Sequence, residues 1–313
     1  MQWVDRIGHR LKLRDLHILM SVAQYGSMGK AAGALAISQP AISKAIADIE
    51  HTLKVRLFDR TPAGAEPTRY GRALIKWGNA VFDDLRQSVK EIEHLSDPSS
   101  GELRLGCTEP MSCGFVPAVL DQLSRHYPKV IFHVTQADPA TLQAGLQSRD
   151  VELAVGRVPR QLPGKDFNVE ILFQEPVLIA AAQANKWTRR RKVKLAELVD
   201  EFWTLPPPGA IATSTLAAAF HAAKLPTPRN SVVTYSLQLH YALMATGRYL
   251  GAIPGSMLHF NAKRPDLAVV PVDVRLRPGP VGIMTLKGRT LNPVAHLFMQ
   301  TARELSVPLK KMV

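Results

Sequence analysis

The sequence has little cysteine and no long apolar run. Its 313 residues include two cysteines, Cys107 and Cys113, which are too few for a disulfide scaffold and make a reducing compartment the default expectation. No stretch approaches the roughly 20 consecutive apolar residues that span a bilayer. Residues 1–14 lack the apolar segment of a secretory signal. We therefore expect a cytoplasmic protein that has no membrane among its partners.

The motifs of common enzyme classes are also missing. No glycine-rich phosphate loop, zinc-ligand spacing or nucleophile elbow is present. The ten histidines are scattered, and none forms a ligand pair at helical spacing. The sequence therefore predicts no enzyme, no metal site and no cofactor.

Positive charge, in contrast, is abundant. The 39 Lys and Arg residues outweigh 26 Asp and Glu, which gives a net charge of +13 and suggests a polyanionic partner, a basic ligand site, or both. Most of the surplus falls after residue 100. A small local surplus on one face is nevertheless enough for phosphate contact, so charge alone leaves open which half binds nucleic acid.

The first 65 or so residues predict three short helices. Ser27 can cap a helix over 28–36, and Ser38 can cap a third helix whose first turn contains Pro40. That third helix runs to about residue 53 and carries on one face Ile42, Ile46, Ile49 and Leu53. Residues 57–68 contain turn residues that suit a hairpin-like wing, namely Pro62, Gly64 and Pro67.

A long helix follows the wing, from about residue 69 to 95. Its apolar residues recur at heptad-like spacing: Phe82, Leu85, Val89 and Ile92. Such a helix has no core of its own beside a small domain, so we expect it to pair with a copy of itself. The composition of residues 96–101 is typical of a hinge.

From Glu102 the pattern changes to strands that alternate with helices, which predicts an α/β sheet. The predicted strands are 103–107, 130–135, 153–155, 177–181, 249–253, 267–270 and 281–286. The predicted helices are 115–126, 141–147, 216–223, 237–245 and 294–305.

The first helices predict a helix-turn-helix, in which the second helix enters the major groove by its N-terminal residues. Pattern alone fits a generic three-helix bundle equally well. The residues decide between the two, because together they closely resemble the winged DNA-binding domain of LysR-type transcriptional regulators. The matching segments are Ala23-Gln24-Tyr25-Gly26-Ser27, Lys30-Ala31-Ala32, Leu35, Ser38-Gln39-Pro40-Ala41-Ile42-Ser43, Ile49-Glu50, Leu57-Phe58-Asp59-Arg60 and Pro67-Thr68-Arg69-Tyr70-Gly71.

The resemblance extends over nearly the whole chain and implies a mixed fold. The implied parts are an all-α winged helix-turn-helix domain (1–68, helix-turn-helix 28–47), a linker and dimerisation helix (69–97) and a C-terminal α/β effector domain (98–313). The effector domain would consist of two Rossmann-like subdomains. The first would cover about 102–174 and 280–305, and the second about 175–279.

The resemblance also implies a DNA-binding regulator that is switched by a small molecule. The residues expected at DNA are Lys30, Ser38, Gln39, Pro40, Ser43, Lys44, Arg60, Thr61 and Arg69. Gln39 can pair with adenine edges, whereas Arg60 could instead pair with Asp59 or Glu66. The expected partners are an operator with an interrupted palindrome, a second copy through Phe82, Leu85, Val89 and Ile92, a tetramer built from such dimers, and RNA polymerase. The site of action would be the nucleoid.

The effector is expected in a cleft between the subdomains, beyond the carboxyl ends of strands. The residues expected to contact it are Thr108, Ser112, Asp138, Arg157, Pro208 and Ile253. The basic surplus favours an anionic effector. Glu109 and Asp138 would count against a highly anionic one, or would bind the hydroxyls of a sugar-like one.

Local explanations compete with these roles. Thr108 and Ser112 can act as helix caps, and Arg157 can form a salt bridge with Asp138, Asp150 or Glu152. The basic run over 189–192 predicts a solvated loop, with a second contact to bent DNA as the alternative.

The cysteines also have two interpretations. A redox switch is conceivable, because the family includes thiol-based peroxide sensors, although their reactive pair lies in the second subdomain. Cys107 is most simply an apolar residue at a strand end.

Overall fold

The N-terminal part of the chain begins with three short helices. The computed structural model describes residues 11–61, 64–158, 166–229, 231–260, 266–273, 276 and 278–311, without the side chains of Arg60 and Lys311. The helices are α1 (Leu13–Tyr25), α2 (Met28–Leu35) and α3 (Gln39–Leu53). They belong to the first of two units, Met1–Val89 and Lys90–Val313.

The helix ends follow the capping chemistry that the sequence predicts. Ser27 Oγ accepts the N–H of Lys30 at 3.5 Å, and Ser38 Oγ accepts the N–H of Ala41 at 3.3 Å. These bonds satisfy amide groups that have no partner inside the helix. Each helix then stops at a left-handed residue, Gly26 after α1, Ala36 after α2 and Lys54 after α3. The predicted helix-turn-helix is therefore confirmed.

A wing follows the helices and is fixed to them through main-chain groups. Strands β1 (Phe58–Thr61) and β2 (Gly64–Pro67) pair antiparallel. Glu50 Oε1 on α3 accepts the N–H groups of Leu57 at 2.6 Å and Phe58 at 3.3 Å. On the other strand, the N–H of Ala65 donates to Gly26 O at 2.8 Å. The wing thus has a defined position against α1 and α3.

Gly33 inside α2 and Gly26 at the end of α1 should have opposite effects on stability when each is replaced by alanine. A Cβ at Gly33 would meet nothing within 4 Å and its backbone is ordinary, whereas Gly26 has the same open space but a φ of +63°. We expect Gly33→Ala to raise the free energy of unfolding by about 1 kcal/mol through helix propensity. Gly26→Ala should lower it, because alanine disfavours the left-handed region. Thermal unfolding measures both, and equal signs would contradict the argument.

One long helix, α4 (Arg69–Ser96), leads from the first unit into the second. Its start is close to the wing, because Thr68 Oγ1 accepts the N–H of Gly71 at 3.1 Å and a Cβ on Gly71 would lie 2.1 Å from Leu57 O. No helix among the described residues has the length and apolarity needed to cross a bilayer.

The second unit starts with a five-stranded sheet and the helices that cover it. The elements up to its first crossover are β3 (Ser100–Cys107), α5 (Glu109–Ser112), α6 (Phe115–His126), β4 (Lys129–Gln136), α7 (Pro139–Gln147), β5 (Leu153–Arg157) and β6 (Phe167–Glu175). The chain then leaves this sheet and returns at its end.

The remaining elements build a second sheet and complete the first. They are β7 (Val177–Ala182), β8 (Phe202–Leu205), α8 (Ile211–Ala222), β9 (Ser231–Val233), α9 (Leu237–Ala245), β10 (Tyr249–Pro254), α10 (Gly255–Phe260), β11 (Leu267–Val269), β12 (Gly279–Leu286) and α11 (Pro293–Ser306). The first sheet has the order β4-β3-β5-β12-β6, and the second β11-β7-β10-β8-β9.

Each sheet has its own apolar core. Leu103, Phe115 and Phe298 are fully buried on the first sheet, and Trp203 and Phe220 are fully buried on the second. The predicted α/β class is therefore confirmed. The strands predicted from the sequence do not include β6, β8 and β9. Apolar residues alternate along β6, so its pattern is typical of a strand.

The passage between the two sheets is held by a buried carboxylate. Glu175, at the end of β6, accepts the N–H of Ser256 at 2.8 Å and its hydroxyl at 2.6 Å. Burial raises the pKa of Glu175, against the effect of these two hydrogen bonds. The passage from the first sheet to the second, at residues 175–177, is thereby fastened to the start of α10.

Candidate nucleic-acid interface and ligand cavity

The first turn of α3 presents polar side chains to solvent. Gln39, Pro40 and Lys44 are exposed, and the Gln39 amide lies beside α2, because a Cβ built on Gly29 would be 3.5 Å from Gln39 Oε1. Glycine at that position leaves room for the amide. An exposed amide at the start of a second helix is the arrangement that reads base edges in the major groove.

Other residues predicted at DNA have local partners. Ser38 caps α3. Ser43 is half-buried, and its hydroxyl donates to Met28 Sδ at 3.4 Å. Lys30 is exposed, and Thr61 is exposed on the wing.

The sequence also predicts two arginines near DNA, Arg60 and Arg69. Arg69 is exposed at the start of α4, with its guanidinium 4.6 Å from the ring centroid of Tyr70 and hydrogen-bonded to the Tyr70 hydroxyl. The side chain of Arg60 lies outside the described residues. No finding assigns DNA contacts to these residues, so their roles stay predictions.

The linker helix α4 carries an exposed apolar stripe. Its residues recur every three or four positions and are Trp77, Val81, Leu85, Val89, Ile92 and Leu95. Phe82, which the sequence predicts in this seam, is half-buried and packs with its ring centroid 5.8 Å from that of His17 on α1. The stripe therefore contains Val81 in its place and extends to Trp77 and Leu95, which the heptad-like pattern omits.

A cavity of about 860 Å³ lies between elements of the two sheets. Its lining residues from the first sheet's side are Glu109, Ser112, Cys113, Pro117 and Gln136, and those from the second are Ser236, Gln238, Tyr241, Ala242, Ala245, Asp266 and Leu267. Such a polar cleft at the carboxyl ends of strands is where α/β folds bind small ligands.

One hydrogen bond joins the two sides of this cavity. Glu109 Oε1 accepts the N–H of Leu237, the first residue of α9, at 2.9 Å. On the near side, the hydroxyl of Ser112 donates to Gln136 Oε1 at 2.9 Å. The sequence alone could not predict the contribution of α9, because the pairing of Glu109 with Leu237 joins residues that are 128 positions apart.

Of the residues predicted for the effector, the cavity brings in Ser112. Thr108 precedes α5 and packs its methyl group against Gly156. Asp138 caps α7 by accepting the N–H groups of Ala140 and Thr141. A further hydrogen bond from the Thr141 hydroxyl is the main cause of its lowered pKa.

Three more predicted effector residues lie away from the lining. Arg157 donates to Glu175 O at 2.8 Å, and burial lowers the pKa of its guanidinium. This partner is a main-chain oxygen and not the carboxylate of Asp138, Asp150 or Glu152, the partners that the sequence offers. Pro208 is exposed in a loop, and Ile253 is buried with Ala180 and Met244.

The basic run over 189–192 is partly neutralised. Arg190 is 2.5 Å from Glu197 and stacks 5.1 Å from the Trp187 ring centroid. Lys192 lies 4.0 Å from Asp273. Arg189 lines a neighbouring cavity of about 790 Å³. These contacts favour a surface loop over a second DNA contact.

Cys107 has the properties of a buried apolar residue and not those of a reactive thiolate. Cys107 is buried, and burial raises the pKa of its thiol to about 11. A thiol that stays protonated is a weak nucleophile. Among the described residues, no group of three or more His, Cys, Asp and Glu is placed to hold a metal ion.

Comparison with known proteins assigns both parts of the chain. Residues 13–72 match the bacterial regulatory helix-turn-helix protein, lysR family, and residues 96–306 match the LysR substrate binding domain. The HTH-type transcriptional regulator GbpR of Azospirillum brasilense is 27% identical over 298 residues, which cover 95% of this chain and 87% of that protein.

Two solved structures share the fold. A full-length OxyR variant from Pseudomonas aeruginosa superposes with a TM-score of 0.66 and 19% identity, covering 94% of this chain and 95% of that one. Full-length CbnR in complex with its target DNA gives a TM-score of 0.54 and 22% identity, covering 95% and 100%.

The family matches cover most of the chain and occur in the order that the structure shows, with a winged helix-turn-helix before two linked sheets. The chain therefore belongs to the LysR family of transcriptional regulators, with an N-terminal DNA-binding domain and a C-terminal effector-binding domain, and is not an enzyme.

Proposed function

We propose that the chain reads an operator with an interrupted palindrome through the first turn of α3 and the wing. The observation that carries this proposal is the exposed start of α3, where Gln39 and Lys44 face solvent beside a wing fixed by Glu50. Gln39 would pair with a base edge, and Lys30, Lys44 and Arg69 would contact phosphates.

Base readout by Gln39 has a direct test. Gln39→Ala should lower the affinity for the specific operator by about 1–3 kcal/mol and leave the affinity for random DNA nearly unchanged. Fluorescence anisotropy with both duplexes at one salt concentration measures the two effects. Lys44→Ala is the matched control on the same helix, since losing a phosphate contact should weaken both duplexes alike. An equal loss of affinity for both duplexes in Gln39→Ala would indicate that Gln39 contacts the DNA backbone and not a base.

The assembly follows from the apolar stripe on α4. We propose that two chains pair through it to form a homodimer, and that dimers associate into a homotetramer on the two half-sites. A stripe of six large apolar side chains in water is unfavourable, and a second copy of α4 presents the same stripe for heptad packing.

Regulation by an effector would take place at the cavity between the two sheets. A small-molecule effector bound there would favour one arrangement of the DNA-bound dimers, because a ligand shifts an equilibrium only through different affinities for the two states. Acting on promoters, the regulator would work in the cytoplasm on the nucleoid, with RNA polymerase as a further partner.

A further inference from the structure

The cavity between the two sheets is acidic, although the whole chain carries a net charge of +13. Its charged lining residues are Glu109 and Asp266, and no Lys, Arg or His of the described residues lines it. The rest of the polar lining is neutral and consists of Ser112, Gln136, Ser236, Gln238 and Tyr241. An anion placed here would therefore meet the carboxylates of Glu109 and Asp266 and no cation among the described lining residues.

Glu109 also occupies a main-chain donor that an anion would use. Two amide hydrogens in the first turn of α9 are already bonded to residues that line the cavity. Leu237 N–H donates to Glu109 Oε1 at 2.9 Å, and Leu239 N–H donates to Ser236 Oγ at 3.2 Å. Amide groups at a helix start attract negative charge, and the protein supplies that charge itself.

We propose that Glu109 is the residue that sets the effector class: it excludes anionic effectors from this cavity and leaves it to neutral, hydroxyl-bearing molecules. This inference rests on the proposed function of the cavity as the effector site. A hydroxyl group can donate to Glu109 and Asp266 and accept from neighbouring amide side chains, whereas a second carboxylate would be repelled by both.

The same residue also links effector binding to the geometry of the two subdomains. Glu109 follows β3 of the first sheet, and Leu237 begins α9, which packs on the second. A hydroxyl that bonds to Glu109 therefore acts on the contact that joins the two sides. Glu109 thus takes part both in the selection of the effector and in the contact between the two sides of the cavity.

The neighbouring cavity of about 790 Å³ has a basic residue in its lining and could itself bind an anion, so both cavities must be tested. It shares Ala245 and Asp266 with the first cavity and adds Arg189. A carboxylate that binds the unaltered protein through Arg189 would be lost in Arg189→Gln, while one held by α9 would not. The two sources of anion binding are therefore separable.

The experiment measures the binding of benzoate, succinate and a panel of neutral monosaccharides to the full-length protein by isothermal titration calorimetry. Glu109→Ala frees Leu237 N–H and removes one negative charge, so benzoate or succinate should bind at least about tenfold more tightly than to the unaltered protein. Glu109→Gln keeps an oxygen for Leu237 N–H and should give a smaller gain. Asp121→Ala, which removes an exposed carboxylate on α6, should give none.

The outcomes separate this inference from the proposed function. The role of Glu109 is overturned if the unaltered protein binds benzoate or succinate as tightly as Glu109→Ala does. The same comparison is made with Arg189→Gln in both proteins, so that binding at the neighbouring cavity is excluded. No gain in either Glu109 variant overturns it as well, and the Gln variant decides if the Ala variant fails to fold. The proposed function fails separately, if no bound small molecule alters operator binding in a gel-shift assay.

Discussion

Replacing Lys90 with methionine is expected to lower the free energy of unfolding of the effector domain by about 3–5 kcal/mol, because it leaves a buried carboxylate without its counter-charge. Lys90 Nζ lies 3.2 Å from Glu152 Oε1 and 3.0 Å from Glu102 Oε1, and the Glu152 side chain is completely buried. The second oxygen of Glu152 has no hydrogen-bond partner among the described residues. Urea unfolding at neutral pH measures the loss.

The pH dependence of that loss provides a second readout. The hydrogen bond from Lys90 is the main cause of the lowered pKa of Glu102. A carboxylate with a lowered pKa stabilises the folded state above its unfolded pKa, and this contribution is lost as the pH falls through the folded pKa. The difference between Lys90→Met and the unaltered protein should therefore be largest at neutral pH and shrink below about pH 4.

Two further variants control this prediction. Lys129→Met breaks the exposed pair with Asp97, whose side chains are 65% and 42% accessible, and should cost much less because solvent screens that pair. Lys90→Met combined with Glu152→Leu removes both buried charges and should recover a large part of the stability. An equal cost for Lys90→Met and Lys129→Met would show that burial is not the cause.

Replacing Leu85 with aspartate is expected to dissociate the dimer and to weaken operator binding by about 10²–10⁴-fold, because two half-sites would no longer be bound by linked chains. Leu85 is 43% exposed in the middle of the stripe on α4, between Val81 and Val89. A pair of α4 helices would place two such aspartates in an apolar seam. Sedimentation velocity measures the assembly, and anisotropy with the full operator measures the binding.

The matched control for this change stays at the same position. Leu85→Met keeps an apolar side chain of similar volume, so the dimer and operator binding should persist. Operator binding that survives in a monomeric Leu85→Asp protein would refute the link between assembly and DNA recognition. An unchanged sedimentation profile would refute the pairing through α4 itself.

The sequence carries most of the information for the N-terminal helices, because local chemistry determines their ends. Ser27 and Ser38 are caps that the sequence predicts and that the structure contains. In the second unit, the short strand β8 (Phe202–Leu205) has only four residues, which is too few for a periodic pattern. Its place is determined by pairing with β9 and β10.

The residues of the cavity were harder to predict than the fold. The rule that ligands bind beyond strand ends selects Ser112, which lines the cavity, but it also selects Asp138, whose oxygens cap α7. Arg157 follows β5, yet its guanidinium bonds to the main chain of Glu175. Which side chains face a cleft depends on the packing of distant segments, and a single sequence does not contain that information in local form.

The place of β12 in the first sheet has a consequence for biosynthesis. This strand pairs with β5 on one side and along its whole length with β6 on the other, yet every strand of the second sheet precedes it in the chain. A ribosome therefore releases the complete second sheet while β5 and β6 still expose open edges, which are prone to wrong pairing. The first sheet is completed last, so a translational stop just before Gly279 would leave the second sheet finished and the first without the strand that joins β5 to β6.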